Sequence, residues 1–262
     1  MSTTYECVRI EREGPIIKVV IDNPSSSVNA VDGVLHRELG SVFAALRDET
    51  DARVIVLTGS GRAFSAGGDL NWIAEQGPDT LRQLRQEGKR LLWEALEVEL
   101  PIVAALNGPA IGLGATIALL CDVIVMSEDA TIADPHVKVG LVAGDGGAVL
   151  WPLLLGTQRA KRYLLTGDAI TAAEAVELGM AVEACPADAL EERAMKWAGR
   201  LAKQAPLAVQ YTKLSINQML KQAMVVAFDY STALELLTFV SADHKEAITA
   251  VREKRAPTFE GR

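Results

Sequence analysis

Short, almost uninterrupted apolar runs recur along the first two thirds of the chain, and a glycine-containing loop or a helical pattern follows most of them. The runs Val54–Leu57, Ile102–Leu106 and Asp122–Met126 are rich in β-branched residues and too short for buried helices. Strands that are apolar on both faces are typical of parallel sheets covered by helices. The pattern therefore predicts an α/β fold with buried parallel strands.

Helical patterns fill the intervals between these strands and then the remainder of the chain. Apolar residues at helical spacing predict an amphipathic helix over 31–46, and a more polar helix over 78–100 is ended by a proline. From about residue 187 no strand pattern remains, and three helices are predicted near 187–203, 206–222 and 225–254. The last segment is apolar enough to require a partner surface, on its own core or on another subunit.

Charge and residue counts exclude several classes of protein. With 26 Lys and Arg against 34 Asp and Glu, the formal charge of −8 argues against nonspecific nucleic-acid binding. The three cysteines and three histidines are scattered, without a CxxC or HxxxH pair, so neither a disulfide framework nor a metal site is predicted. No signal peptide or membrane-length apolar run is visible, and we expect a cytoplasmic protein without a membrane partner.

Glycine-rich loops precede several helices, and two enzyme classes fit them poorly. The segment Gly112–Gly114 begins a GxGxxG pattern but lacks its third glycine, and no Walker motif is present. Ala63–Gly67 is a near match to the GxSxG elbow of serine hydrolases, with Ser65 as nucleophile and His136 as a candidate base. Alternatively, Ser65 makes only a local hydrogen bond to the backbone.

A third interpretation assigns the loops a backbone role. Peptide N–H groups at helix N-termini lack intrahelical acceptors, and two such loops facing each other form an oxyanion hole for an enolate or a tetrahedral anion. The alternative is that the loops are tight turns and nothing more, and spacing does not separate the two.

An ordered series of motifs along nearly the whole chain resembles the crotonase superfamily, also called the enoyl-CoA hydratase/isomerase family. The motifs are Asn29-Ala30-Val31, Ile55–Gly59, Ala63–Leu70, Pro101–Gly112, Cys121-Asp122, Gly140-Leu141, Leu165–Gly167 and the tail Phe239–Arg262. The resemblance implies a spiral of ββα repeats over 1–200 and a C-terminal helical trimerisation region over 201–262. It also implies a homotrimer or homohexamer that acts on an acyl-CoA thioester, with coenzyme A as part of the substrate and no tightly bound cofactor.

The resemblance also assigns site residues. It implies that the backbone N–H groups of Ala66 and Leu113 form the oxyanion hole, although Leu113 replaces a usual glycine. The implied CoA-binding residues, with Arg62 as a weaker phosphate candidate, are Ala30, Ala66, Asp69, Leu70 and Lys254. Asp69 is also well placed to cap the following helix.

Two departures from the hydratases that the chain resembles set the chemistry. The two glutamates that activate water are replaced by Thr116 and His136. Threonine is not a general base near neutral pH, so we assign Thr116 to shaping the pocket, whereas histidine suits proton transfer. Asp145 is expected either to orient or assist His136, or to cap the next helix. His36 and His244 are interpreted as surface residues.

Three functions remain open at this point. The first is chemistry on a CoA thioester through an enolate, without ordinary two-glutamate hydration. The nine-residue spacing of His136 and Asp145 also resembles the branch that includes 6-oxocamphor hydrolase, whose members cleave carbon–carbon bonds of β-diketones without CoA. The third is a catalytically silent CoA-binding or scaffold member. RNA binding, which occurs in the family, is disfavoured by the charge.

Overall fold

The computed structural model describes residues 4–262, which form alternating strands and helices followed by three long helices. The strands are β1 (Val8–Glu13), β2 (Ile16–Ile21), β3 (Val54–Gly59), β4 (Ile102–Leu106), β5 (Ala110–Ile111), β6 (Val123–Ser127), β7 (Thr131–Ala133), β8 (Ala169–Thr171) and β9 (Glu183–Cys185). The helices are α1 (Gly33–Arg47), α2 (Leu70–Ala74), α3 (Pro78–Glu97), α4 (Leu113–Leu119), α5 (Gly147–Leu155), α6 (Thr157–Thr166), α7 (Ala172–Glu177), α8 (Leu190–Ala202), α9 (Pro206–Phe239) and α10 (Ala242–Glu253).

Two sheets organise the fold. The larger has the order β1-β2-β3-β4-β6-β9, in which only the β1–β2 pair is antiparallel. The smaller has the order β5-β7-β8. Every residue of β4 is buried, because α8 packs on one face of the larger sheet and the main core lies on the other. The predicted α/β class with buried parallel strands is confirmed.

The C-terminal helices differ from the prediction in one respect. The break expected between 222 and 225 is absent, and α9 runs without interruption for 34 residues. No glycine or proline interrupts it after Pro206, so nothing in the backbone ends the helix there. The chain turns instead at Val240 and Ser241, and the Ser241 hydroxyl caps α10 by accepting from the His244 N–H.

Helix α9 is fixed to the core by buried polar side chains but keeps an apolar outer face. The Lys213 ammonium donates to the Leu100 carbonyl at 2.8 Å and pairs with Asp122 at 2.8 Å. Farther along the helix, Val226 is 82% exposed and Leu237 is 66% exposed. This face is where the predicted contact with another subunit would lie, and the oligomeric state stays a prediction.

Among residues 4–262, no single helix is both long and apolar enough to cross a bilayer, although the bent pair α9 and α10 has that length and composition when the two helices are taken together.

Asn29 holds the loop that leads from β3 toward α2. Its amide nitrogen donates to the carbonyls of Ser60 (2.9 Å) and Ala63 (3.0 Å), and its amide oxygen accepts from the Asn23 N–H. The residue is buried and has a φ of +52°, a conformation that asparagine tolerates better than most side chains. The turn at Asn29 therefore holds the glycine-rich loop in place.

We expect Asn29→Ala to lower the free energy of unfolding by about 2–4 kcal/mol, because buried carbonyls lose their donor and alanine is strained at this φ. Asn29→Gly loses the same hydrogen bonds without the strain, so it should be more stable than Asn29→Ala by about 1 kcal/mol. Urea unfolding of both variants measures this. Unfolding of either variant at the wild-type midpoint would show that Asn29 does not hold the loop.

Candidate active site

One cavity, partly open to solvent, brings together parts of the chain that are far apart in sequence. Its walls come from the loop after β3, the start of α4, the 3-10 turn at His136–Val139 and the facing sides of α3 and α9. Its lining residues are His36, Gly68, Trp72, Ile73, Leu84, Arg85, Gly88, Leu113, His136, Leu141, Asp145, Phe228, Thr232, Glu235, Leu236 and Phe239. Most of them are apolar, so the few charged groups lie in a poorly hydrated space.

The backbone N–H groups of Gly68 and Leu113, at the edge of this cavity, have no acceptor among the described residues. Val31 pairs with the residues on either side of Gly68, which leaves the Gly68 N–H facing away from Val31. Leu113 is the first residue of α4, where amides lack an intrahelical acceptor. Two unpaired donors thus border the same cavity.

The interpretation of Ala66 as an oxyanion donor is wrong. The Ala66 N–H donates to the Val28 carbonyl at 3.0 Å and is therefore already used inside the chain. This bond ties the glycine-rich loop to the segment before α1. The amide that stays unpaired lies two residues later, at Gly68. Val31 donates to the Gly67 carbonyl and accepts from the Asp69 N–H, so it does not use the N–H of Gly68.

His136 lies at the centre of a buried group of carboxylates. Its Nδ1 is hydrogen-bonded to Asp134, whose side chain is fully buried. On the other side of the ring, Nε2 is 3.6 Å from Asp145 Oδ2 and 3.8 Å from Glu235 Oε1. A Cβ built at Gly112 would lie 3.4 Å from the ring, so the loop before α4 approaches the histidine closely. The imidazole therefore has a carboxylate on either side.

This arrangement shifts the pKa of each group. Burial alone would lower the pKa of His136, but the charges of Asp134, Asp145 and Glu235 and the hydrogen bond that the ring donates to Asp134 raise it well above 6.5. Burial raises the pKa of Glu235 to about 8, partly opposed by the charge of His136. Burial also raises the pKa of Asp145, against the influence of His136. Near neutral pH, His136 is thus cationic and Glu235 largely carries a proton.

Thr116 contacts this group as a minor partner. It is fully buried at the start of α4, and its hydroxyl donates to Asp145 Oδ1 at 3.4 Å. The hydroxyl therefore holds the carboxylate that faces His136. Asp145 lies just before α5, whose N-cap is Gly146, and a hydrogen bond from the Gly147 backbone also acts to lower the pKa of Asp145. Asp145 thus lies beside His136, as the sequence predicted. It faces Nε2 of the ring, however, whereas the nitrogen that orients the ring, Nδ1, is bonded to Asp134.

Sequence reasoning missed two members of the group. Asp134 takes the orienting position, and its other carboxylate oxygen is buried without a partner. The only signal was its place two residues before His136 in an Asp-Pro-His segment. Glu235 comes from α9, far along the chain, and its apolar neighbours in sequence suggested only packing. The possible ligand atoms of Asp134, His136 and Asp145 lie within 4.8 Å of one another, a spacing that could hold a metal cation. The scattered histidines of the sequence did not indicate such a group.

The other two histidines are buried, so their interpretation as surface residues is wrong. His36 lines the cavity from α1, with Nδ1 3.1 Å from Glu87 Oε2. His244 Nδ1 is 2.7 Å from the Val139 carbonyl, which fixes the turn carrying His136 to α10. Their charged sequence neighbours suggested exposure, but both side chains lie on the inward helix faces.

Ser65 has a purely structural contact. Its hydroxyl is buried and donates to the Asn29 carbonyl at 2.8 Å. The local hydrogen bond offered as the alternative is also present, because the hydroxyl accepts from the Gly67 N–H at 3.3 Å, and Ser65 is absent from the cavity lining. The serine hydrolase interpretation is therefore wrong.

The predicted CoA-binding residues lie outside the lining of the cavity. The Ala30 N–H donates to Ser26 Oγ, and the Asp69 carboxylate caps α2, which starts at Leu70. The Lys254 side chain is exposed at the end of α10, and the Arg62 guanidinium donates to Ser27 Oγ. Of these, none lines the cavity itself, and their role in binding CoA stays a prediction.

Comparisons with known proteins agree with this architecture. The family model described as Enoyl-CoA hydratase/isomerase matches residues 11–262. A 2,3-dehydroadipyl-CoA hydratase of Escherichia coli (strain K12) is 32% identical over 97% of this chain and 98% of its own. A crystal structure of an enoyl-CoA hydratase/isomerase from Mycobacterium paratuberculosis has a TM-score of 0.88 at 36% identity, covering 93% and 98% of the two chains.

A further similar structure carries a ligand. A β-diketone hydrolase from the cyanobacterium Anabaena sp. PCC 7120, bound to (S)-3-oxocyclohexyl acetic acid, is 35% identical, with a TM-score of 0.83 over 90% of this chain and 94% of that chain. The fold is that of the crotonase superfamily. The chain belongs to the enoyl-CoA hydratase/isomerase family and is an enzyme of that family.

The pKa of Glu235 predicts how stability depends on pH. A carboxyl whose pKa is raised on folding stabilises the native state below its unfolded pKa of about 4.3, and this contribution is lost as pH rises through about 8. Relative to Glu235→Gln, the wild type should therefore lose on the order of a few kcal/mol of unfolding free energy between pH 4.5 and pH 8. Urea unfolding at several pH values measures the difference. A difference that is constant with pH would contradict the raised pKa.

Proposed function

We propose that this enzyme forms an enolate from a bound carbonyl compound and holds the enolate oxygen between the N–H groups of Gly68 and Leu113. The single observation that carries the proposal is that these two unpaired donors border the cavity that also contains His136. Preformed donors in a poorly hydrated site stabilise developing negative charge without reorganisation. Such electrostatic stabilisation is the largest single contribution to the rate enhancement in many enzymes.

His136, Asp145 and Glu235 move the proton in this proposal. The raised pKa of His136 makes it a proton donor at neutral pH, and Asp134 keeps its ring oriented. Asp145, 3.6 Å from the other ring nitrogen, accepts a proton from the reactant or from water. Carboxylates and imidazole whose pKa values are displaced by their surroundings suit general acid and base catalysis near neutral pH.

An acyl-CoA thioester is the first candidate substrate. The relatives of this family bear CoA-substrate names, among them the Escherichia coli hydratase above. In this reaction Asp145 takes a proton from the carbon next to the thioester, the electron pair moves to the oxygen held by the two amides, and His136 returns a proton to carbon. Ordinary hydration by two glutamates is not expected, because Thr116 and His136 occupy those positions.

Hydrolysis of a β-diketone is the second candidate, and one observation favours it. The cavity holds both a carboxylate that can activate water, Asp145, and a protonated carboxyl, Glu235, on the same face of His136. Water would attack one carbonyl carbon as Asp145 takes its proton. The bond to the central carbon would then break, its electron pair forming the enolate of the second carbonyl, and His136 or Glu235 would protonate the central carbon. The products are a carboxylic acid and a ketone.

The amide of Leu113 can be removed without removing the helix. Leu113 is the first residue of α4, a position where proline is tolerated, so Leu113→Pro deletes only the N–H donor and the side chain. Leu113→Ala is the matched control, since it removes the side chain and keeps the donor. We expect kcat of Leu113→Pro to be about 10²–10³ below that of Leu113→Ala on the substrate the wild type turns over. Equal kcat in the two variants would refute the oxyanion role.

Parallel assays separate the two substrates and the silent alternative. Calorimetric binding of acetyl-CoA that is lost in Lys254→Ala supports a thioester substrate, whereas no binding at millimolar acetyl-CoA excludes it. Ring opening of a 2,2-dialkylcyclohexane-1,3-dione, read by proton release, supports the hydrolase. His136→Ala should lower either turnover by at least about 10²-fold. A folded wild-type protein inactive on both substrates would leave the silent-member interpretation and contradict the proposed function.

A further inference from the structure

Arg85 is the one arginine or lysine among the cavity-lining residues of the described chain. It projects from α3, between the cavity residues Leu84 and Gly88, and its side chain is 40% exposed. A cation in this place lies where the cavity meets solvent, while His136 and its carboxylates lie in the buried part. The proposed mechanism makes no use of it.

The hydrogen bonding of Arg85 leaves most of its donors available. Its Nη2 donates to Asp229 Oδ1 at 2.9 Å, and Lys89 Nζ donates to the second oxygen of the same carboxylate at 2.7 Å. A guanidinium has five N–H donors, and this is the one hydrogen bond that Arg85 makes in the described structure. Two cations share one carboxylate, so this corner of the cavity carries a net positive charge.

The opposite end of the cavity has the opposite charge. Asp134, Asp145 and Glu235 surround one histidine, so a negatively charged ligand group is repelled from that end and attracted to the guanidinium. Arginine is also suited to carboxylate by geometry, since its planar fork makes two parallel hydrogen bonds.

We propose that Arg85 binds a carboxylate of the ligand at the solvent end of the cavity and thereby selects acidic over neutral ligands. The inference rests on the proposed function, because it takes this cavity as the substrate site. The carboxylate has two chemical sources: the far end of an acyl chain on a CoA thioester, or the carboxylate of the keto acid formed from a cyclic β-diketone, which is repelled from Asp145 once the ring has opened.

The test compares charged and neutral ligands of matched shape. One pair is 5-oxohexanoate and its methyl ester, and the other is glutaryl-CoA and butyryl-CoA, each titrated calorimetrically into wild type, Arg85→Met and Lys89→Met. Lys89→Met is the matched control, because Lys89 pairs with the same Asp229 but does not line the cavity. The Arg85 and Lys89 side chains are 40% and 38% exposed and methionine keeps an unbranched apolar stem, so neither change should impair folding.

The wild type should bind the acid of at least one pair about tenfold or more tightly than its neutral partner, the scale of a charge-assisted hydrogen bond. Arg85→Met should remove that preference and leave binding of the neutral partner within about twofold, whereas Lys89→Met should keep it. The pair in which the preference occurs identifies the source of the carboxylate. A preference that survives Arg85→Met, or no preference in a wild type that binds the ligands, overturns the inference. Failure of all four ligands to bind wild type contradicts the proposed function instead.

Discussion

The close approach of two backbone loops is the constraint on which the rest of this site depends. Ser65 N–H donates to the Pro109 carbonyl and Ile111 N–H donates to the Ser65 carbonyl, which joins the loop after β3 to the loop before α4. A side chain at Gly67 would meet the Ile111 carbonyl at 2.6 Å, and its φ of +77° also requires glycine. Only with both loops so joined do the amides of Gly68 and Leu113 border one cavity.

A second constraint is the free-energy cost of burying several carboxylates close together. Asp134 is fully buried, and its cost is offset by the hydrogen bond to His136 and by the imidazolium charge. The remaining excess of negative charge is reduced by a proton on Glu235, whose pKa is raised to about 8. The raised pKa that makes this cluster of acids compatible with folding also supplies an acid, Glu235, and a base, Asp145, within 4 Å of one nitrogen of His136. Stability and chemistry thus depend on the same four side chains.

Much of this fold could be predicted from residue patterns because its strands are short, apolar and separated by clear turn residues. Runs such as 102–106 and the cap at Asp69 needed no tertiary information. The position of α9 over the cavity could not be predicted, since its apolar residues have no single face and its Glu235 resembles any polar helix residue. The choice of Gly68 over Ala66 likewise depended on pairing with Val31 and Val28, which are more than 30 residues away. Local spacing indicates that a loop has free amides, but only long-range pairing decides which ones.

A crystal structure with a stable enolate mimic in the cavity tests the central claim most directly. The account predicts one ligand oxygen about 2.7–3.1 Å from both the Gly68 and the Leu113 amide nitrogens, with the adjacent carbon facing His136 and Asp145. A ligand whose oxygen contacts neither amide, in a cavity that otherwise keeps its shape, would contradict it.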